Sequence, residues 1–94
     1  LEVQEGIVTA QLMDFSGNVI WKAVNECAIS LETNTNCMQI SYNQLPNFDK
    51  QKTVLQVEFK GKAKAFTRTY DFLGSILPIG SFAPSIHLST AQPP

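Results

Sequence analysis

At 94 residues the chain has the length of one domain, and its seven Lys and Arg against eight Asp and Glu give a net charge of −1. Such balance provides no electrostatic footprint for nucleic acid or an anionic membrane, and no stretch approaches the ~18–20 continuous apolar residues of a membrane span. A chain of this size buries roughly 60–65% of its unfolded surface, enough for one sandwich core. It opens on Leu1-Glu2-Val3 rather than Met, which reads as a processed chain or, preferably, an excised domain, since an enzyme this small should show a site.

Val8, Ala10 and Leu12 alternate with Thr9, Gln11 and Met13, the period-two mark of a strand with one buried face. Asp14-Phe15-Ser16-Gly17-Asn18 supplies turn chemistry: an Asp to bond its own backbone, and Gly and Asn to tolerate positive φ. A loop over Phe15–Asn18 sets Asp14 opposite Val19, Leu12 opposite Trp21 and Ala10 opposite Ala23, so that the single Trp faces the core. Trp21 to Leu31 is long for one strand and predicts a bend or a change of sheet near Asn25-Glu26. Cys27, Ile29 and Leu31 continue the inward phase. A polar turn over Glu32–Asn36 follows, and then Met38, Ile40 and Tyr42 as the next inward set, closed by Leu45-Pro46. In the polar connection Asn47–Lys52, Phe48 is expected to tuck under the loop.

Leu55, Val57 and Phe59 alternate with Gln56, Glu58 and Lys60, the cleanest amphipathic strand of the chain. Gly61-Lys62 reads as a two-residue hairpin turn, which sets Val57 opposite Phe66 and Leu55 opposite Arg68. Phe66, Tyr70 and Phe72 then face the core. Arg68 conflicts with that face, because a buried unpaired guanidinium costs several kcal/mol. Either a bulge turns it outward, or it lies at a rim or against a partner. The predicted core therefore spans residues 1–77. Residues 78–94, which hold four of the five prolines, form an extended tail with room for one short last strand.

No cluster of residues suggests catalysis, and no metal or cofactor is expected. Cys27 and Cys37 are ten apart, and in a hairpin centred on Asn34 they do not face each other, which predicts two unpaired thiols packed as small apolar groups. His87 has no carboxylate or second His near it in sequence and reads as an exposed tail residue. Asp14, Glu26, Glu32, Asp49, Glu58 and Asp71 fall in turns or on solvent phases. Two carboxylates meeting at glycosidase spacing would be needed for hydrolysis, and nothing in the pattern favours such a pair. Phe48 and Phe82 read as exposed aromatics able to stack on sugars, too few for a broad platform.

Two stretches together resemble a known family. The first is Val8-Thr9-Ala10-Gln11-Leu12-Met13-Asp14-Phe15-Ser16-Gly17-Asn18-Val19-Ile20-Trp21, a strand, a D-x-x-G-x-V-x-W turn and a second strand. The second is Thr53-Val54-Leu55-Gln56-Val57-Glu58-Phe59, a Gly turn, then Phe66-Thr67-Arg68-Thr69-Tyr70-Asp71-Phe72. In order and spacing they are similar to the immunoglobulin-like C-terminal domain of β-mannosidases of glycoside hydrolase family 2, and Ala83-Pro84-Ser85-Ile86 echoes that domain's final segment. Thr69 stands where the family often carries Asn. The resemblance implies an all-β, immunoglobulin-like antiparallel β-sandwich. It further implies a non-catalytic accessory domain whose parent acts on β-mannosides with carboxylates on a separate barrel, none of them in this chain.

On that resemblance the partners are neighbouring domains of the parent glycosidase, with no nucleic acid and no membrane. Arg68, Tyr70 and Phe72, on the closing strand, are the expected interdomain contact. The alternatives are a stand-alone fibronectin-like or carbohydrate-binding module, and a small enzyme or structural subunit. The parent, if bacterial, would be periplasmic or secreted, and the chain contains no Asn-x-Ser/Thr acceptor of the kind used in eukaryotic secretion.

Overall fold

The computed structural model describes residues 3–62 and 67–88. Its elements are strands β1 (Val3–Asp14), β2 (Val19–Ser30), β3 (Asn34–Asn36), β4 (Ile40–Ser41), β5 (Thr53–Gly61), β6 (Thr67–Leu73), β7 (Ser81–Phe82) and β8 (Ser85–His87), with short 3-10 turns at Tyr42–Gln44 and Gly74–Ile76. One antiparallel sheet runs in the order β2-β1-β5-β6. Facing it, β3 pairs with β8 and β4 with β7, which makes one interrupted antiparallel ribbon from two distant segments. The chain is thus an all-β antiparallel sandwich.

The alternation read from the sequence builds the core directly. Three rows cross the inner face of the four-stranded sheet in register: Trp21–Leu12–Leu55–Phe72, Ala23–Ala10–Val57–Tyr70 and Asn25–Val8–Phe59–Arg68. Val8, Ala10, Leu12, Leu55, Val57 and Phe59 are sealed from solvent, and Met38, Ile40, Leu77, Ile86 and Leu88 close over them from the other layer. The segment expected as a tail from residue 78 thus contributes β7, β8 and two core side chains. Burial of a side chain such as Leu or Phe stabilises by about 1.5–3 kcal/mol, so these rows carry most of the fold.

Gly6 extends the inner face beyond Val8, with Cys27 and Gly61 as its neighbours. A Cβ there would strike the Lys60 carbonyl oxygen and lie 2.7 Å from Cζ of Phe59. The missing side chain is what lets the Phe59 ring lie across β1.

Several expectations are corrected. The first hairpin keeps Leu12 opposite Trp21 and Ala10 opposite Ala23, but Met13 rather than Asp14 opposes Val19, and the register shift leaves Ile20 as the extra residue. The cause is the turn itself: the Asp14 amide donates to the Asn18 carbonyl at 3.0 Å, which closes the loop one residue tighter on the second strand. β2 neither bends away nor changes sheet at Asn25-Glu26, because β1 pairs with it from Met13 back to Val3. The β5–β6 connection is longer than a two-residue turn: Val57 faces Tyr70, Leu55 faces Phe72 and Phe59 faces Arg68, a shift of four residues that preserves the face of every side chain. Phe66 lies outside the described residues. Trp21 is half-buried and packs on the core.

The cysteines overturn the expectation of free thiols. Cys27 and Cys37 form a disulfide, with Cα atoms 5.5 Å apart. After β2 the chain does not return as a neighbouring strand in the same sheet. It crosses to the opposite layer, which brings Cys37 over β2 instead of sliding it along a hairpin. The side-chain amide of Asn25 donates to the Cys37 carbonyl at 3.3 Å and fixes the same crossing.

Candidate functional site

The residues singled out from sequence are dispersed. Among the described residues, no group of three His, Cys, Asp or Glu could hold a metal ion. On the outer face of the sheet Glu26 lies opposite Ile7, Glu58 opposite Thr9 and Thr69, and Asp71 opposite Gln56, so no directly paired positions bring two of these carboxylates together. Asp71 instead accepts a 3.4 Å hydrogen bond from Gln56. His87 is on β8 rather than in a loose tail, half-exposed, with its Nε2 4.0 Å from Glu32, a neighbour that sequence distance concealed.

Arg68, Tyr70 and Phe72 share the inner side of β6, as their spacing requires, and no register shift turns Arg68 outward. Arg68 is half-buried at the strand's start and donates to the Thr67 carbonyl at 3.2 Å. Tyr70 reaches across the layers: its hydroxyl donates to the His87 carbonyl at 3.0 Å. Partial burial pushes the Tyr70 phenol above its usual range, with the Arg68 charge acting in the opposite sense. Phe72 lines an open apolar groove of about 210 Å³ with Ile76, Leu77, Pro78 and Phe82. Ile76 on its wall is exposed, as is Ile79 next to Pro78, Ile79 by 81%, while Leu73 is exposed on the outer side of β6.

A more concentrated site lies where sequence reasoning placed only one aromatic. β4 leads into the 3-10 turn Tyr42–Gln44, which is capped by the Gln44 side chain accepting from the Ser41 amide at 2.8 Å. The loop that follows is held by its own hydrogen bonds. Asp49 accepts from the Gln51 amide through its carboxylate at 2.9 Å, and through its carbonyl from Lys52 and from the Thr53 hydroxyl. The Phe15 amide, 3.1 Å from the Lys52 carbonyl, ties this loop to the first hairpin turn. Phe48 stands between two concavities, one of about 520 Å³ with Tyr42, Asn43 and Asn47, the other of about 360 Å³ with Phe15, Ser16 and Lys52. Phe82, read as exposed, is half-buried against the core, and Phe48 is half-buried there too, in line with its expected tuck under the loop. The Tyr42 and Phe48 rings meet at 5.8 Å, and Lys50 Nζ lies 5.1 Å from the Tyr42 centroid. The signal available in the sequence was two aromatics interleaved with Asn43, Pro46 and Asn47.

The first turn, one wall of this region, is built around Asp14. Its carboxylate accepts from the Ser16 and Asn18 amides at 2.9 Å and from the Asn18 side chain at 3.0 Å, while Gly17 adopts φ 93°. These bonds, those from Asn18 above all, hold the Asp14 carboxyl below its ordinary 3.8. A depressed folded-state pKa stabilises above the unfolded value and is lost as pH falls through the folded one. The stability advantage of the native chain over Asp14→Asn should therefore be constant from neutral pH to about 5, and shrink as pH falls through and below 3.8. Urea melts at pH 6, 4 and 3 measure this, and an advantage that grows on acidification would contradict the assignment.

A two-layer antiparallel sandwich with no clustered acid–base groups among the described residues has the architecture of an immunoglobulin-like module. The family model described as "Mannosidase Ig/CBM-like domain" matches residues 1–76, and the chain belongs to that family. It is an immunoglobulin-like accessory domain of the mannosidase type. Comparison with curated proteins and with solved structures gave no match.

Proposed function

We propose that this chain is a non-catalytic β-sandwich of a family 2 β-mannosidase-like glycoside hydrolase acting on β-mannosides, and that it packs on the parent's neighbouring domains. The match to the mannosidase Ig/CBM-like family over residues 1–76 carries the reading. The docking surface centres on Phe72, with its apolar groove and the exposed Ile76 and Ile79. Exposed apolar side chains gathered at one place mark surfaces that meet another protein. Tyr70 supports this surface from within, its hydroxyl being held by the His87 carbonyl. Arg68, four residues back along β6 and so roughly 13 Å away, borders it from the far end of the strand. The Cys27–Cys37 disulfide favours an oxidising compartment, which for a bacterial parent is the periplasm or the cell exterior.

The test uses Ile76→Ser and Ile79→Ser in both the 94-residue chain and the full-length parent. In the isolated chain each should change stability by less than about 0.5 kcal/mol, as exposed positions do. In the parent the pair should lower the melting temperature of the domain boundary by several degrees and increase proteolytic cutting there. Aryl β-mannoside should be turned over by the parent and not by the isolated chain. Equal, negligible effects in both contexts would remove the docking surface, and turnover by the isolated chain that vanished in Asp14→Asn or Glu58→Gln would remove the accessory role.

A further inference from the structure

We propose that the cleft divided by Phe48 is a binding site for a neutral oligosaccharide. Its two concavities, about 520 and 360 Å³, each fall within the range of small-ligand sites, and they share Phe48 as a common wall. The choice of mannose as the sugar rests on the mannosidase reading; the class, a neutral polyol, does not. That class follows from three features of the walls.

The first feature is the pairing of apolar surface with amides. The C–H faces of a pyranose ring require a flat apolar partner, and Phe48 and the 63%-exposed Phe15 supply two. Tyr42 braces Phe48 and is itself covered by Lys50, so it acts as support rather than platform. Asn43 and Asn47 line the larger concavity, are exposed, and make no side-chain hydrogen bond among the described residues. An amide offers two donors and an acceptor within a few ångströms, a match for vicinal hydroxyls that both donate and accept.

The second feature is charge. Lys50 and Lys52 stand with Asp14 and Asp49 around the cleft, two of each sign, and both carboxylates already accept backbone amides. No net field remains to select an anionic or cationic ligand. The third feature is preorganisation. The 49–53 turn, the Gln44 cap and the Phe15–Lys52 bond hold the walls before any ligand arrives, which limits the ordering cost of binding.

The experiment is an amide-resolved NMR titration of the 94-residue chain with β-1,4-mannotriose, with tri-galacturonate as the charged comparison. Saturable shifts are expected at residues 42–49 and 14–16 with the neutral sugar and none with the anionic one. Asn43→Ala and Asn47→Ala, at exposed positions that leave the fold intact, should each weaken binding about five- to tenfold. Glu58→Gln, on the outer face of β5, should leave the affinity unchanged. Cellotriose in place of mannotriose separates the two readings: saturable binding of cellotriose alone supports the cleft and overturns only mannose as its sugar. Absence of saturable shifts with either trisaccharide, or shifts confined to another face, would overturn the site while leaving domain docking in the parent untouched.

Discussion

Reducing the Cys27–Cys37 disulfide, or replacing both cysteines with alanine, should lower the unfolding free energy by about 2–3 kcal/mol. The bridge closes a loop between residues ten apart in sequence, and the loop-closure entropy removed from the unfolded chain sets that magnitude. For a domain whose total stability is of the order of 5–15 kcal/mol, the loss is a large fraction. Its location makes the effect specific. The bridge spans the crossing from β2 into the opposite layer, and the short ribbon that follows has only three paired positions in β3–β8 and two in β4–β7. Exchange of amide protons in that ribbon should accelerate before exchange in the four-stranded sheet does. Urea melts with and without reductant give the magnitude, and a midpoint unmoved by reduction would show that the crossing holds without the bond.

Gly6→Ala should be nearly as damaging, although it adds a single methyl group. That methyl would meet the Lys60 carbonyl oxygen and lie 2.7 and 2.8 Å from Cζ and Cε1 of Phe59. Phe59 is sealed in the core and β1 is paired on both sides, so neither has room to withdraw. Overpacking of this kind costs about 1–3 kcal/mol, and the backbone contact puts the value toward the upper end. Phe59→Ala removes the ring itself and should cost about 3–5 kcal/mol. The informative comparison is the double variant: in a Phe59→Leu background the penalty of Gly6→Ala should fall, because half of its collision has gone. Strict additivity would show that the ring does not lie over Gly6.

What could be read beforehand and what could not follow a physical boundary. Alternation placed Val8, Ala10, Leu12, Leu55, Val57 and Phe59 on one buried face, and it survived even where the pairing was misjudged. A period of two ensures this: the β5–β6 register slipped by four residues, an even number, so Tyr70 and Phe72 kept their side. Turn length was less legible, since Gly61-Lys62 satisfies the rules for a tight hairpin while the strands are set by the packing of Phe72 on Leu55. The disulfide was not legible, because it depends on the chain leaving the sheet after Ser30, and nothing in Glu32–Asn36 distinguishes a hairpin turn from a crossing between layers. The candidate site was partly legible for the same reason. Phe48 stood out as an aromatic in a polar loop, but its neighbours Phe15 and Tyr42 come from segments that only the assembled end of the sandwich brings together.

The position of β1 between β2 and β5 has a consequence for how the domain is made. A ribosome delivers β1 and β2 first, and a tight turn at Asp14–Asn18 lets them zip at once. The partner for the other side of β1 is nine residues from Thr53 to Gly61, so some twenty residues of intervening chain must be synthesised before it begins to appear. Over that interval the nascent hairpin presents an open edge beside Val8, Ala10 and Leu12, which is the configuration most prone to pairing with a second nascent copy. Slow elongation through residues 31–52 would prolong the hazard, and faster elongation there, or a chaperone that shields the hairpin, would relieve it. Yield in the cell is thereby tied to the pace of translation across the stretch that separates the two strands flanking β1.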